Sequence, residues 1–163
     1  MTQPKFTLRE ILAADAAPVA EIIRIVMTEF GAVGEGYSIN DPEMDDMYAA
    51  YSPDDSTFYV LEKDGEIVGC GGIAPLAGGD GSVCELRKMY FLTTARGFGQ
   101  GRKMVEKCLQ QARALGFQKC YLETLKSMES ANRLYQKLGF KPLCGNMGHT
   151  GHSGCDAYYA LDL

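Results

Sequence analysis

The stretch Glu85-Leu86-Arg87-Lys88-Met89-Tyr90-Phe91-Leu92-Thr93-Thr94-Ala95-Arg96-Gly97-Phe98-Gly99-Gln100-Gly101-Arg102 decides the fold. Its first half predicts a strand from Cys84 to about Leu92. Beyond its second half, Met104, Val105, Cys108, Leu109, Ala112 and Leu115 recur at helical spacing up to Gly116, so a helix follows. The turn Arg96-Gly97-Phe98-Gly99-Gln100-Gly101 joins the two. The first N–H groups of that helix lack carbonyl partners and stand at the positive end of its dipole, which suits a phosphate. A Cβ at Gly99 or Gly101 would hold a ligand away from those groups or block the dihedrals they need. No Gly-Lys-Ser/Thr follows, so the turn is not a Walker loop. A dinucleotide-binding fold would carry its glycines after the first strand of the chain, not in its middle. By itself the turn reads as an anion site or as a plain joint between strand and helix.

Working outward, Phe6 to Ile11 alternates like a strand. Asp15 then precedes Val19, Ile22, Ile23, Val26 and Phe30 at helical spacing. Gly31, Gly34 and Gly36 open a loop, and Asp41-Pro42 is placed to cap a short helix carrying Met44, Met47 and Tyr48. Thr57 to Glu62 and Glu66 to Ile73 flank Lys63-Asp64-Gly65, which predicts a β-hairpin. On the far side, Lys119 to Leu125 reads as a strand, Ser127 as the cap of a helix from Met128 to Leu138, and Phe140 to Leu143 and Ala157 to Leu161 as strands. The order β α α β β β α β α β β describes an α/β chain with antiparallel hairpins first and a strand-helix-strand crossover in the middle. At 163 residues, 46% hydrophobic and 23% charged, it suits one domain over residues 1–163.

Charge is unevenly spread. Residues 29–66 carry eleven carboxylates against the single base Lys63, whereas residues 87–141 carry twelve Lys and Arg against Glu106, Glu123 and Glu129. The second balance suits an anionic ligand such as a nucleotide cofactor, or is simply that of solvated helix faces. The net charge of −5 and the lack of a basic run with interleaved aromatics argue against nucleic acid as a partner. No apolar run approaches membrane-span length and the N-terminus lacks a signal-peptide layout, so a cytoplasmic protein with no membrane association is expected. Four of the six cysteines sit inside apolar strand or helix patterns, where a reduced thiol is a small hydrophobe, so no disulfide framework is expected.

Taken with Asn132-Arg133-Leu134-Tyr135-Gln136-Lys137-Leu138-Gly139-Phe140, the turn and its strand resemble the GCN5-related N-acetyltransferase (GNAT) family. The pyrophosphate loop of that family reads Arg/Gln-x-x-Gly-x-Gly/Ala, here Arg96, Gly99 and Gly101. The resemblance covers nearly the whole chain, with two motifs in the right order and spacing. It implies a mixed, largely antiparallel sheet of about seven strands flanked by about four helices and splayed at a central parallel pair. It also implies acetyl-CoA as co-substrate, held by the main chain of Phe98, Gly99, Gln100, Gly101 and Arg102 at the pyrophosphate. Met89 and Phe91 on the strand would pair with the pantetheine arm. Asn132 and Tyr135, three apart on one helical face, would bind the arm and protonate the departing thiolate. Glu85 matches the general-base position of the histone-acetylating members, acting through a water; a paired or solvated carboxylate is the other reading of it.

The same resemblance assigns acceptor choice to two loops. Glu35 and Tyr37 in the first would favour and stack on a cationic amine. His149 and His152 in the second offer polar contacts. The spacing Cys144-x4-His149-x2-His152-x2-Cys155 is not a common zinc pattern, so no metal is expected. The expected activity is direct acetyl transfer to a primary amine of a small molecule or peptide by a monomer or homodimer. A covalent acyl carrier is disfavoured, because no cysteine stands in the loop or at the acid position. The alternative is a non-catalytic acyl-CoA-binding sensor or regulatory module.

Overall fold

The computed structural model describes residues 2–163. Seven strands form one sheet: β1 (Phe6–Glu10), β2 (Thr57–Lys63), β3 (Glu66–Pro75), β4 (Val83–Phe91), β5 (Lys119–Thr124), β6 (Lys141–Pro142) and β7 (Ala157–Asp162). Their order across the sheet is β1-β2-β3-β4-β5-β7-β6, and every neighbouring pair is antiparallel except β4 and β5. The helices are α1 (Ala16–Glu29), the single turn α2 (Met47–Ala50), α3 (Gln100–Ala114) and α4 (Glu129–Lys137). The expected mixed, largely antiparallel architecture is therefore present.

Strand β2 explains the layering. Its alternating residues are buried on both faces: Phe58 and Val60 join Val19, Ile23, Met27 and Met47 under α1 and α2, while Tyr59 and Leu61 join Met104, Val105 and Cys108 under α3. The β2–β3 hairpin turns at Asp64 and Gly65, with φ of 52° and 89°, the positive pair of a type I′ turn. All six cysteines are free, and Cys70, Cys84, Cys108 and Cys120 are buried in the cores. Among the described residues, no helix is long and apolar enough to cross a membrane.

Two features of β4 shape the site. It pairs with β5 only over Val83–Glu85 against Lys119–Tyr121, after which the strands part. Against β3 the register jumps from Cys70↔Tyr90 to Gly72↔Arg87, so Lys88 and Met89 oppose one residue in a β-bulge. Lys88 there has a φ of +54°, a left-handed conformation rare for a side chain as long as lysine.

Two expected caps, Ser127 and Asp41, are not used, and Asp15 ahead of α1 is drawn into other bonds. Asp15 does not cap α1; its carboxylate accepts from Leu12 N at 2.7 Å and pairs with both terminal nitrogens of Arg9. Ser127 does not cap α4, which starts after Met128 without a side-chain cap. The helix expected after Asp41-Pro42 is split into a 3-10 turn over Pro42–Asp45 and α2, which Asp46 caps through Ala49 N at 3.0 Å. Asp41 is thereby released to work elsewhere.

Candidate active site

The turn before α3 has the character that its glycines predict. Gly99 is the N-cap residue, with a φ of +73° and no side chain to satisfy the first N–H groups of the helix. These groups face outward at the positive end of a four-turn dipole. A Cβ on Gly101 would lie 3.5 Å from Leu134 and 3.7 Å from Phe91, so the first turn of α3 is seated between α4 and the end of β4. Phe98 is 48% exposed and its ring packs on Phe6 and under Lys63. The Arg96 side chain is committed elsewhere: both terminal nitrogens hold Glu29 at 2.7 and 3.0 Å, and Nε donates to Phe91 O. Its place in the expected motif is thus filled by a residue that ties the turn to α1 and to β4.

A pocket opens where β4 and β5 part. Its walls include Lys88, Met89 and Tyr90 from β4, Leu122 and Glu123 from β5, and Tyr135 from α4. Tyr135 is 5% exposed, stacked near Phe140 and Tyr159, and burial pushes its phenol well above the ordinary tyrosine value. Asn132, one turn before, donates to Leu125 O at 3.0 Å. Its Oδ1 is buried with no hydrogen-bond partner among the described residues.

Glu85 stands at the last paired position of β4, opposite Tyr121. It is 4% exposed and its Oε1 takes Arg87 Nε at 2.6 Å, while Arg87 Nη2 is anchored on Pro75 O. The Glu85 carboxylate is thus paired with Arg87 and buried rather than solvated. Beyond it lies a second cavity of about 250 Å³, lined by Asp41, Pro42, Glu43, Ala77, Glu85, Arg87, Thr150 and His152. Glu85, Arg87 and His152 line both spaces, so the two meet at these residues.

The loops over residues 31–41 and 144–156 are locked together above this junction. His152 Nε2 lies 2.8 and 2.9 Å from the two carboxylate oxygens of Asp41, and Gly154 N donates to Gly36 O. Tyr37 lines the pocket with its ring against Gly154. Underneath, the buried Lys88 ammonium bridges Asp41 at 2.6 Å and Glu43 at 2.8 Å. Burial alone would raise the Asp41 carboxyl, but the His152 hydrogen bond and the Lys88 charge outweigh it and hold it low. Burial alone would lower the His152 imidazole, and the Asp41 bond and charge outweigh that and raise it.

Of the expected acceptor residues, Tyr37 and His152 reach the site. Glu35 is exposed on the loop surface, and His149 is turned against Gly78, its N–H bonded to Ala77 O. Cys144 is exposed, away from any convergence with the histidines. The group that does converge is Glu85, Glu123 and His152, with one ligating atom from each within 4.8 Å of the others. Asp41, Glu43, Lys88, Arg87 and Glu123 were not singled out from sequence. The signal for Glu123 was there, as a charged residue within an otherwise buried strand.

The comparisons with known proteins agree with this geometry. A sequence model of the Acetyltransferase (GNAT) family matches residues 19–140. The chain is 41% identical over 157 residues to a protein named as the uncharacterized N-acetyltransferase YjgM of Escherichia coli, covering 96% of this chain and 94% of that one. It is 33% identical over 108 residues to an IAA acetyltransferase of Azospirillum brasilense, covering 66% and 69%. Among solved structures, a putative acetyltransferase from Acinetobacter baylyi superposes with a TM-score of 0.80 at 17% identity, over 100% of this chain and 94% of that one. One from Salmonella typhimurium, solved with acetyl-CoA, superposes with a TM-score of 0.77 at 21% identity, over 96% and 93%. With a family match over most of its length and a near full-length relative at that identity, the chain belongs to the GNAT family and is an N-acetyltransferase.

Proposed function

We propose that the chain moves the acetyl group of acetyl-CoA directly to a primary, cationic amine while both are bound. The observation that carries this reading is the β4/β5 gap opening onto the carboxylate-lined cavity, with the uncapped α3 turn following β4. Phosphate, thioester arm and amine would each then have a place. The main chain of Phe98, Gly99, Gln100, Gly101 and Arg102 would hold the pyrophosphate. Met89 and Phe91, beyond the last β4/β5 pair, leave main-chain groups for the pantetheine arm, and the unpartnered Asn132 Oδ1 fits one of its amide N–H groups.

Charge favours a cation on the acceptor side. Asp41, Glu43, Glu85 and Glu123 face Arg87, Lys88 and His152, leaving the mouth net negative. The cavity, at about 250 Å³, is below the range of drug-sized sites and suits a small amine or one side chain of a larger molecule. The amine loses one proton to the Glu85/Glu123 pair, then attacks the thioester carbonyl. The C–S bond breaks, Tyr135 gives its proton to the thiolate and recovers one from the new amide nitrogen. Burial keeps that phenol protonated over the working range, as the acid role requires. Cys155 also lines the pocket, but burial pushes its thiol up to about 12, which makes it a poor acyl carrier.

The test is a free-thiol assay with acetyl-CoA and propylamine, putrescine, glycinamide, glycine or a lysine peptide. Release with the cationic amines is expected. Release confined to glycine would overturn the charge argument, and release with none would overturn the transferase reading. Melting should rise with CoA and not with adenine.

A further inference from the structure

We propose that Glu123, and not Glu85, takes the proton from the incoming amine, with Glu85 fixed by Arg87 as the neighbouring charge that positions the ammonium. The inference rests on the transferase reading above and reassigns the base within it. Three relationships carry it.

The first is position along the sheet. The last β4/β5 pair is Glu85↔Tyr121, and Glu123 lies two residues further along β5, on the same face as Tyr121. Glu85 therefore sits where the strands are still joined. Both carboxylates line the pocket that holds Met89 and Tyr135, and one oxygen of each lies within 4.8 Å of the other, but the Glu123 main chain stands roughly 7 Å further along, beyond the last β4/β5 pair.

The second is what each carboxylate already holds. Glu85 Oε1 is engaged by Arg87 Nε at 2.6 Å, and that guanidinium is itself pinned to Pro75 O. Putting a proton on this oxygen would break a charge-assisted bond to a group that keeps its own charge, and putting one on Oε2 would weaken the same bond by removing the carboxylate's charge. Glu123 Oε1 is buried with no hydrogen-bond partner within bonding geometry among the described residues, while the Thr150 and Tyr121 hydroxyls lie near enough to the carboxylate to act on it. His152 has its Nε2 taken by Asp41, so only its Nδ1 remains as an alternative acceptor.

The third is the electrostatic setting. Burial raises the Glu123 carboxyl and the charge of Glu85 on β4 adds to this. Opposing them are Thr150 and His152 from the overlying loop and Tyr121 on its own strand. Tyr158, its partner on β7, and Cys155 complete the titratable surroundings. A carboxylate shifted toward neutrality is the better proton acceptor. In the step, one ammonium proton passes to Glu123 Oε1, giving a neutral amine and a carboxylic acid. After C–S cleavage the second nitrogen proton ends on sulfur through Tyr135, and Glu123 returns its proton to water.

Glu123→Gln, Glu85→Gln and the unaltered enzyme would be compared with propylamine at saturating acetyl-CoA across pH. In Glu123→Gln, kcat should fall about 100-fold with loss of the acidic limb of the kcat/KM profile, and Glu85→Gln should keep that limb. The reverse pattern overturns the proposal. An equal rise in melting temperature with CoA verifies that each variant folds. A second measurement needs no turnover: in protein labelled at the glutamate side-chain carboxyl carbon, one NMR resonance should titrate above the rest. It should vanish in Glu123→Gln and persist in Glu85→Gln. Failure to find it overturns the inference, whereas silence with every amine removes the transferase reading instead.

Discussion

His152 Nε2 is held by both carboxylate oxygens of Asp41, at 2.8 and 2.9 Å, and this pair closes the loop over residues 31–41 onto the loop over residues 144–156. The imidazole is raised in the folded chain. Its contribution to stability is therefore complete below the ordinary histidine value of about 6.5 and is lost as pH rises through the folded value. Asp41 is lowered, so its contribution is present above about 3.9 and is lost as pH falls through its folded value. Melting should thus decline from mildly acidic to alkaline pH. His152→Asn should flatten that decline, lowering the melting temperature on the acidic side by about 2–4 °C, the equivalent of ~1 kcal/mol at this chain length. Calorimetry across pH checks it.

Lys88 carries both acidic partners from a side chain that is 1% exposed. Lys88→Met keeps the bulk but leaves Glu43 without its cation and Asp41 with His152 alone, and should cost about 3 kcal/mol in urea unfolding. The main-chain strain at this bulge stays in place, so the loss measures the charge network rather than backbone relief.

The Arg96–Glu29 pair is more than a third exposed on both sides. Arg96→Ala should change stability by less than about 1 kcal/mol yet weaken acetyl-CoA binding, because the turn loses its tie to α1. Glu29→Gln should reproduce part of that weakening in calorimetric titration. If Arg96 instead acts by touching phosphate, Glu29→Gln will leave affinity unchanged or improve it.

Gly99 has open space around the position of a Cβ, so Gly99→Ala meets no collision. The cost is the left-handed backbone at φ +73°, about 1 kcal/mol in stability. The larger effect should be on acetyl-CoA affinity, as the chain relaxes and turns the N–H groups away. Thermal shift with and without CoA separates the two.

Tyr135→Phe should retain acetyl-CoA affinity and lose about 100-fold in kcat. Since burial raises the phenol of Tyr135, the unaltered enzyme should show no alkaline loss from this group up to about pH 10, the ordinary tyrosine value.

The order of the main elements along the chain and the long helices α1 and α3 follow from local signals such as alternation in β2, the Asp64-Gly65 turn, and the apolar stripe of α3 ending at Gly116, whereas the sheet architecture was implied by the family resemblance. The donor turn was legible for the same reason, because glycine spacing, strand and helix are all contiguous in sequence. The acceptor side was legible only in part. Tyr37 and His152 were named because their residue types stand out in loops. Glu35 and His149 have the same qualities and point elsewhere, since loop orientation depends on contacts such as Gly154 with Gly36 and His149 with Ala77. Nothing in the sequence distinguishes Lys88 from the other bases of residues 87–141. Its burial follows from a bulge opposite Gly71, for which sequence offers only a run of glycines. Asp41, placed by sequence to cap a helix, and Asp15, ahead of α1, are instead drawn into ion pairs, a tertiary demand overriding a local preference.

The mouth of this enzyme is fastened to the sheet by charge, through Lys88, Asp41 and His152, while Val33, Glu35, Asn146 and His149 around it are exposed. Substitutions at these exposed positions meet solvent rather than core, so they leave that three-residue fastening and the pocket beneath it in place.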